Sequence, residues 1–213
     1  MKLHSTCSSE SIRSRFMEKL IEEIKQCQSC KAFLPLGPRP VLSAHPNAKI
    51  LIIGQAPGTR VHQTGIPWND PSGDRLRGWL QMEKTEFYDR KLVAIVPMGF
   101  CYPGKGKSGD LPPRPECAPL WHEKLLNQLP QLELILLVGQ YSQKYYLQQK
   151  GIMLPYKTLT DRVKNFDECP QPFFPLPHPS PRNQIWLKKN PWFYELCLPA
   201  LRAKLNNVLN KNP

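Results

Sequence analysis

The apolar residues of this chain follow two rhythms. Over residues 9–25, Ile12, Phe16, Leu20, Ile21 and Ile24 recur at three- and four-residue spacing, which puts them on one face of a helix. Four later runs, 49–53, 92–96, 133–138 and 173–176, are short and apolar without alternation, as in strands covered on both faces. Helical spacing returns between them. Residues 74–81 place Leu76, Trp79 and Leu80 on one side, with Ser72 as the expected N-cap. Helices are also expected over 116–129, 140–150 and 192–209, the last broken at Pro199. Strands alternating with helices predict an α/β fold, with three α/β/α layers around a central, mostly parallel four-stranded sheet. Ligands of such sheets bind at the carboxyl ends of the strands. The loops after 49–53 and 173–176 are therefore the first places to look for chemistry.

Composition narrows the class. The 213 residues suit one domain over 1–213, with a helix and a cysteine pair in 1–30 and a core over 49–200. Hydrophobic residues make up 40%, enough for a packed interior, which excludes a wholly disordered chain. The 29 Lys and Arg against 17 Asp and Glu leave a net charge of +12, which favours a polyanionic partner because neutralised phosphates release counterions. The N-terminal stretch lacks the apolar segment of a secretory leader, and the longest apolar run, 134–138, is far too short for a bilayer. A cytoplasmic protein without a membrane partner is expected. In a reducing compartment the 7 Cys read as free thiols or metal ligands rather than disulfides. The 24 Pro gather in 33–46, 102–119 and 169–181, which predicts ordered irregular loops over a core.

Two of those loops carry unusual sequences. Gly54-Gln55-Ala56-Pro57-Gly58 leaves a strand directly, and its glycines and proline make a rigid turn that lets a flat ligand approach the backbone. It lacks the patterns of a dinucleotide-binding or phosphate-binding loop. His178 stands between Pro177 and Pro179 just past the last strand, followed by Ser180, Arg182 and Asn183. Small polar groups and a cation on a stiff loop suit contact with phosphates and entry into a duplex.

Together these loops resemble the uracil-DNA glycosylase superfamily, with Gly-Gln-Ala-Pro-Gly after the first strand and His-Pro-Ser-Pro-Arg-Asn after the last. The resemblance runs from about Cys27 to about Trp192. The first loop, continued by Thr64-Gly65-Ile66-Pro67-Trp68, is similar to the family 4 and family 5 enzymes, and Asp70-Pro71-Ser72-Gly73-Asp74 to family 5. The last loop resembles family 1 and the single-strand-selective enzymes. Cys27 and Cys30, a C-x2-C pair, with Cys101 and Cys117 beside Arg114-Pro115, are similar to the iron–sulfur ligands of families 4 and 5. The resemblance thus implies a [4Fe–4S] cluster with a structural role, zinc being the alternative for a thiolate set.

The activity so implied is that of a monofunctional DNA glycosylase in base excision repair, a monomer acting on DNA that contains uracil or another deaminated base. Breaking an N-glycosidic bond builds positive charge on the sugar and negative charge on the base. It calls for a carboxylate near the sugar and donors near the base oxygen. The base must also leave the stack. By resemblance Asp70 is the carboxylate, with Asp74 as the alternative, and His62 orients water or touches phosphate. His178 donates to the base oxygen, Gly54, Gln55 and Ala56 line the base pocket, and Trp68 stacks on the base. Arg182 is the inserted wedge, and Ser180 and Asn183 hold phosphates. No lysine lies in either motif, so no lyase step is expected. Two positions depart from the pattern. Ala56 replaces an Asp or Asn, and Pro97 replaces an Asn that reads the uracil edge, so a base range wider than uracil is expected. The same departures suit a second reading, a catalytically weak nucleic-acid-binding protein on the same scaffold.

Overall fold

The computed structural model describes residues 5–107, 109–149 and 155–210. Its strands are β1 (Ile50–Ile53), β2 (Val93–Ile95), β3 (Lys105–Gly106), β4 (Gly109–Asp110), β5 (Leu134–Val138) and β6 (Phe173–Leu176). Four of them form one sheet in the order β2-β1-β5-β6, every pair parallel, and β3 and β4 form a separate antiparallel hairpin. The helices are α1 (Ser5–Lys25), α2 (Thr59–Thr64), α3 (Pro71–Leu80), α4 (Lys84–Phe87), α5 (Cys117–Leu126), α6 (Gln140–Gln143), α7 (Leu159–Lys164), α8 (Gln184–Lys189) and α9 (Leu198–Val208).

The unalternated strands are explained by two cores. Ile50 and Ile52 face a cluster with Leu76, Trp79 and Leu80 of α3, Val163 of α7, Leu187 of α8 and Leu201 and Leu205 of α9. Leu51 and Ile53 face the opposite cluster, with Met17 and Ile24 of α1 and Ala118, Trp121 and Leu125 of α5. The result is the three-layer α/β/α fold, with the sheet wholly parallel. Each Leu or Ile so buried contributes about 1.5–3 kcal/mol relative to exposure, which is why a strand between two helical layers tolerates no polar face.

Three local expectations are corrected. The helix expected over 74–81 starts earlier, at Pro71, and Asp70 rather than Ser72 is its N-cap, its Oδ1 accepting from the Gly73 amide at 2.8 Å. Pro71 suits the first turn because it has no N–H to leave unpaired. The segment from Gln140 is α-helical only to Gln143 and continues as a π-helical turn, Lys144–Gln149, while Lys150 lies outside the described residues. Pro199 starts α9 rather than breaking a longer helix, following a π-helical turn at Phe193–Cys197. The short helices α2, α4, α7 and α8 and the β3–β4 hairpin have too few residues to show a period.

A buried polar network fixes the sheet end that matters. Gln143 Nε2 donates to the carbonyls of Leu137 (3.2 Å) and Leu176 (2.9 Å), near the ends of β5 and β6. Its Oε1 accepts from Arg162 Nε at 3.0 Å, and Arg162 Nη1 reaches the carbonyls of Tyr156 and Lys157. Satisfied on every side, these buried groups lock the departures of the two loops that follow β5 and β6.

Candidate active site

Loop 54–58 is held by its backbone. Gly54 O accepts from the Met98 amide (2.9 Å) and Gln55 O from the Gly99 amide (3.0 Å), while Gln55 Nε2 donates to Leu111 O at 3.1 Å. Gly54 is required by contact, since a β-carbon there would lie 2.7 Å from Cζ2 of the Trp68 ring. Trp68 itself has a φ of 55°, and its carbonyl occupies the space beside Gly73, where a β-carbon would come within 1.7 Å of that oxygen. The turn 68–73 therefore sets Trp68 and Asp70 together. With Oδ1 of Asp70 engaged by the helix amide, Oδ2 faces Gly58, 4.0 Å from where a β-carbon would stand.

The other wall is loop 178–183. Asn183 Nδ2 donates to His178 O at 2.7 Å, Ser180 Oγ accepts from the Arg182 amide at 3.2 Å, and Arg75 Nη1 donates to Ser180 O at 2.9 Å. The half-buried His178 ring lies 5.7 Å from the Trp68 ring, inclined by 35°. Crowding around the imidazole pushes its pKa below the ordinary 6.5, against a smaller upward pull from Asp70, so it is neutral at physiological pH. Arg182 turns back over the β3–β4 hairpin, its Nη1 2.7 Å from the place a β-carbon on Gly109 would take.

Between these walls lies a cavity of about 580 Å³ at the carboxyl ends of the sheet strands. That volume is in the range of small-ligand sites, about 300–1,000 Å³. Gly54, Gln55, Ala56, Trp68, Asp70, His178, Ser180, Arg182 and Asn183 all line it, as does Pro97. Two residues singled out by motif do not. His62 is buried in α2 with its ring 6.1 Å from that of Tyr102, and its Nδ1 has no partner among the described residues. Burial and then Arg39 push its pKa down. Asp74 is paired with Arg77 on the flank of α3. The cavity also has walls that motif reading missed: Asp110 from the hairpin, and Gln140 and Tyr141 after β5. A signal for the last two was present, since Gly139 follows β5 as Gly54 follows β1.

A second, smaller cavity is lined by Cys27, Cys30, Cys101 and Cys117, together with Phe100, Arg114 and Trp121. The Phe100 amide donates to Cys117 Sγ at 3.4 Å. The buried Trp121 Nε1, on the wall of this cavity, has no hydrogen-bond partner among the described residues. At Cys27 the upward push of burial is outweighed chiefly by hydrogen bonds with Ser29. Burial carries Cys101 up to about 11 and Cys117 up to about 12. Among the described residues no group of three or more His, Cys, Asp or Glu is gathered tightly enough for a single metal ion. Nor is any helix there long and apolar enough to cross a membrane.

The chain is similar to known proteins. The family model described as the uracil DNA glycosylase superfamily matches residues 40–202. A type-4 uracil-DNA glycosylase of Sulfurisphaera tokodaii is 26% identical over 136 residues, covering 63% of this chain and 60% of that protein. The chain thus spans about 60% of the length of that curated relative.

Proposed function

This chain belongs to the uracil DNA glycosylase superfamily, and from that premise we propose that it is a monofunctional DNA glycosylase that hydrolyses the N-glycosidic bond of uracil or another deaminated base in DNA. The observation that carries the reading is the convergence of the Asp70 carboxylate, the His178 imidazole and the Trp68 ring on one cavity at the strand ends. In this reading an extrahelical base enters against Trp68 and the 54–56 backbone. The free Oδ2 of Asp70 faces the sugar as positive charge builds on it. Neutral His178 donates a hydrogen bond to the base oxygen as the C1′–N bond breaks, without having to shed a proton first. Ser180 and Asn183 shape the loop that meets the phosphates, and Arg182 enters the duplex only by leaving the hairpin. His62 lies off the cavity, so its role here is packing and that of Asp74 is its pairing with Arg77. Among the described residues no lysine lines the cavity, in keeping with hydrolysis by water rather than a Schiff base. Pro97 offers the base no side-chain hydrogen bond, which supports a range beyond uracil. In this reading the protein acts as a monomer.

The four thiols fit a [4Fe–4S] cluster: an all-cysteine donor set lines one cavity, with the Phe100 amide donating to Cys117 Sγ and the unpartnered Trp121 indole N–H on its wall. Cys27, Cys30, Cys101 and Cys117 would hold it. When bound it would supply a cross-link between α1, the 97–101 segment and α5. Its part is structural.

The reading is tested with oligonucleotides bearing uracil, hypoxanthine or xanthine, single- and double-stranded. The expected result is an abasic site at one or more of these bases. If every substrate stays intact while the oligonucleotides still bind, the protein is a binding module on a glycosylase scaffold. Metal analysis of anaerobically purified protein is expected to find iron and sulfide, and zinc in their place would overturn the cluster.

A further inference from the structure

Gly58 sits beneath two carboxylates. A β-carbon on Gly58 would lie 3.3 Å from Asp110 Oδ2 and 4.0 Å from Asp70 Oδ2. Asp110 ends β4, paired with Lys105 of β3. Its hairpin is clamped to the site: the Leu111 amide donates to Gly104 O at 2.8 Å, and Leu111 O accepts from Gln55. Gly109 has a φ of 152°, a backbone conformation strained for other residues, and lies directly under the Arg182 guanidinium, whose charge acts on Asp110.

The two carboxylates are held differently. Asp70 spends one oxygen on the N-terminus of α3. No hydrogen bond among the described residues occupies either oxygen of Asp110. Asp110 as a residue is exposed on the cavity rim, whereas protein atoms crowd its carboxyl group. That crowding pushes its pKa above the ordinary Asp value. Arg182 pulls it down, Asp70 raises it and Lys105 lowers it, with a net rise. These are the charged groups that face it, from α3, from the loop after β6 and from β3.

We propose that Asp110 is a second catalytic carboxylate, the one that positions the attacking water and takes its proton, while Asp70 faces the sugar cation. This rests on the glycosylase reading. The water oxygen forms its bond to C1′ as the C1′–N bond breaks, and the bonding pair leaves with the base, whose oxygen is held by His178. The water proton passes to Asp110 and from there to solvent or to the departing base. A carboxyl group with a raised pKa is a better proton acceptor than an ordinary one, and Ala56 offers no side chain for the task.

The test has an arm without substrate and an arm with it. In carbon-detected NMR of the free protein, the Asp110 carboxyl is expected to titrate above the ordinary Asp value and to move down in Asp70→Asn, which keeps the helix cap but removes the charge. An Asp110 titration that ignores Asp70→Asn overturns the pairing, whatever the protein's activity. With the base that the wild-type protein releases, Asp110→Asn is expected to lower the single-turnover rate about 100-fold, with oligonucleotide affinity and melting temperature unchanged. Formate is expected to restore part of the rate to Asp110→Ala by replacing the lost carboxylate. A rate for Asp110→Asn within about threefold of wild type, well short of a general base's contribution, overturns the proposal, as does failure of formate rescue. Release by the wild-type protein itself tests the glycosylase reading separately.

Discussion

The two cavities of this molecule are built on opposite principles, though they share a wall. Pro97 lines the larger one, while Gly99, Phe100 and Cys101, a few residues on, line the thiol cavity. Between them His122 Nε2 donates to Pro97 O (3.0 Å), its Nδ1 is bonded to Tyr146 OH (2.6 Å), and its ring stacks near Phe100. The larger cavity is made of turns after strands, shaped by backbone contacts at Gly54 and Gly73 and furnished with a few polar side chains. The thiol cavity takes four residues of one type from three segments of the chain and depends little on backbone strain. The first should therefore fail through shape, the second through loss of a ligand.

The largest effect is expected at Gly73. A β-carbon there meets the Trp68 carbonyl at 1.7 Å, so Gly73→Ala must displace the turn that carries Trp68 and Asp70. A loss of more than about 3 kcal/mol in denaturant unfolding is expected, with no base release. Gly78→Ala in the same helix has nothing within 4 Å of the new carbon and is expected to stabilise by about 0.5–1 kcal/mol. If both substitutions behave alike, shape is not what the first cavity depends on.

Next comes His178→Ala, which removes a donor from the larger cavity without touching the thiols. A fall of about 100- to 1,000-fold in the release rate is expected, with little change in melting temperature. In the thiol cavity the pattern reverses. Cys117→Ser is expected to abolish the broad absorbance near about 400 nm and lower the melting temperature. Base release should persist in whatever protein stays folded. Trp121→Phe should keep the band but shift the reduction potential, because it removes an unpartnered N–H from the wall of the thiol cavity.

The smallest effect is the pH dependence. Burial holds both His62 and His178 neutral, their pKa values below the ordinary 6.5. The unfolded chain takes up these protons at higher pH than the folded one. Their contribution to stability is therefore complete above about pH 6.5 and lost as pH falls toward the folded values, by at most about 1.4 kcal/mol per pH unit for each. Unfolding curves between about pH 8 and about pH 5 measure it. His62→Gln should remove one share without slowing base release, and a large loss of rate would return His62 to the chemistry.

Much of this was legible in the residue order, for identifiable reasons. The strands showed because a strand between two helical layers must be apolar on both faces, and β6 ends where its run of residues does, at Leu176. The two site loops showed because sharp exits from strands demand Gly and Pro at fixed places. The cap of α3 was misread because Ser72 and Asp70 are both good caps, and only the geometry of Pro71 and Gly73 selects Asp70. His62 is a candidate only by resemblance to the family motif, and the helical turn of α2 sets it off the cavity lining, with its ring near Tyr102.

The sequence by itself determined the layers, the parallel sheet and the two loops, because each rests on spacing within a short stretch of chain, and the motifs of those loops carried the resemblance to the family. Only the tertiary structure decided which carboxylates share the cavity. Asp70 and Asp110 lie far apart in the chain, and their meeting over Gly58 depends on the hairpin being clamped by Gln55 and overlaid by Arg182. Contacts of that kind leave no period in a sequence. They arise when separate loops, each shaped locally, are brought to the same end of the sheet.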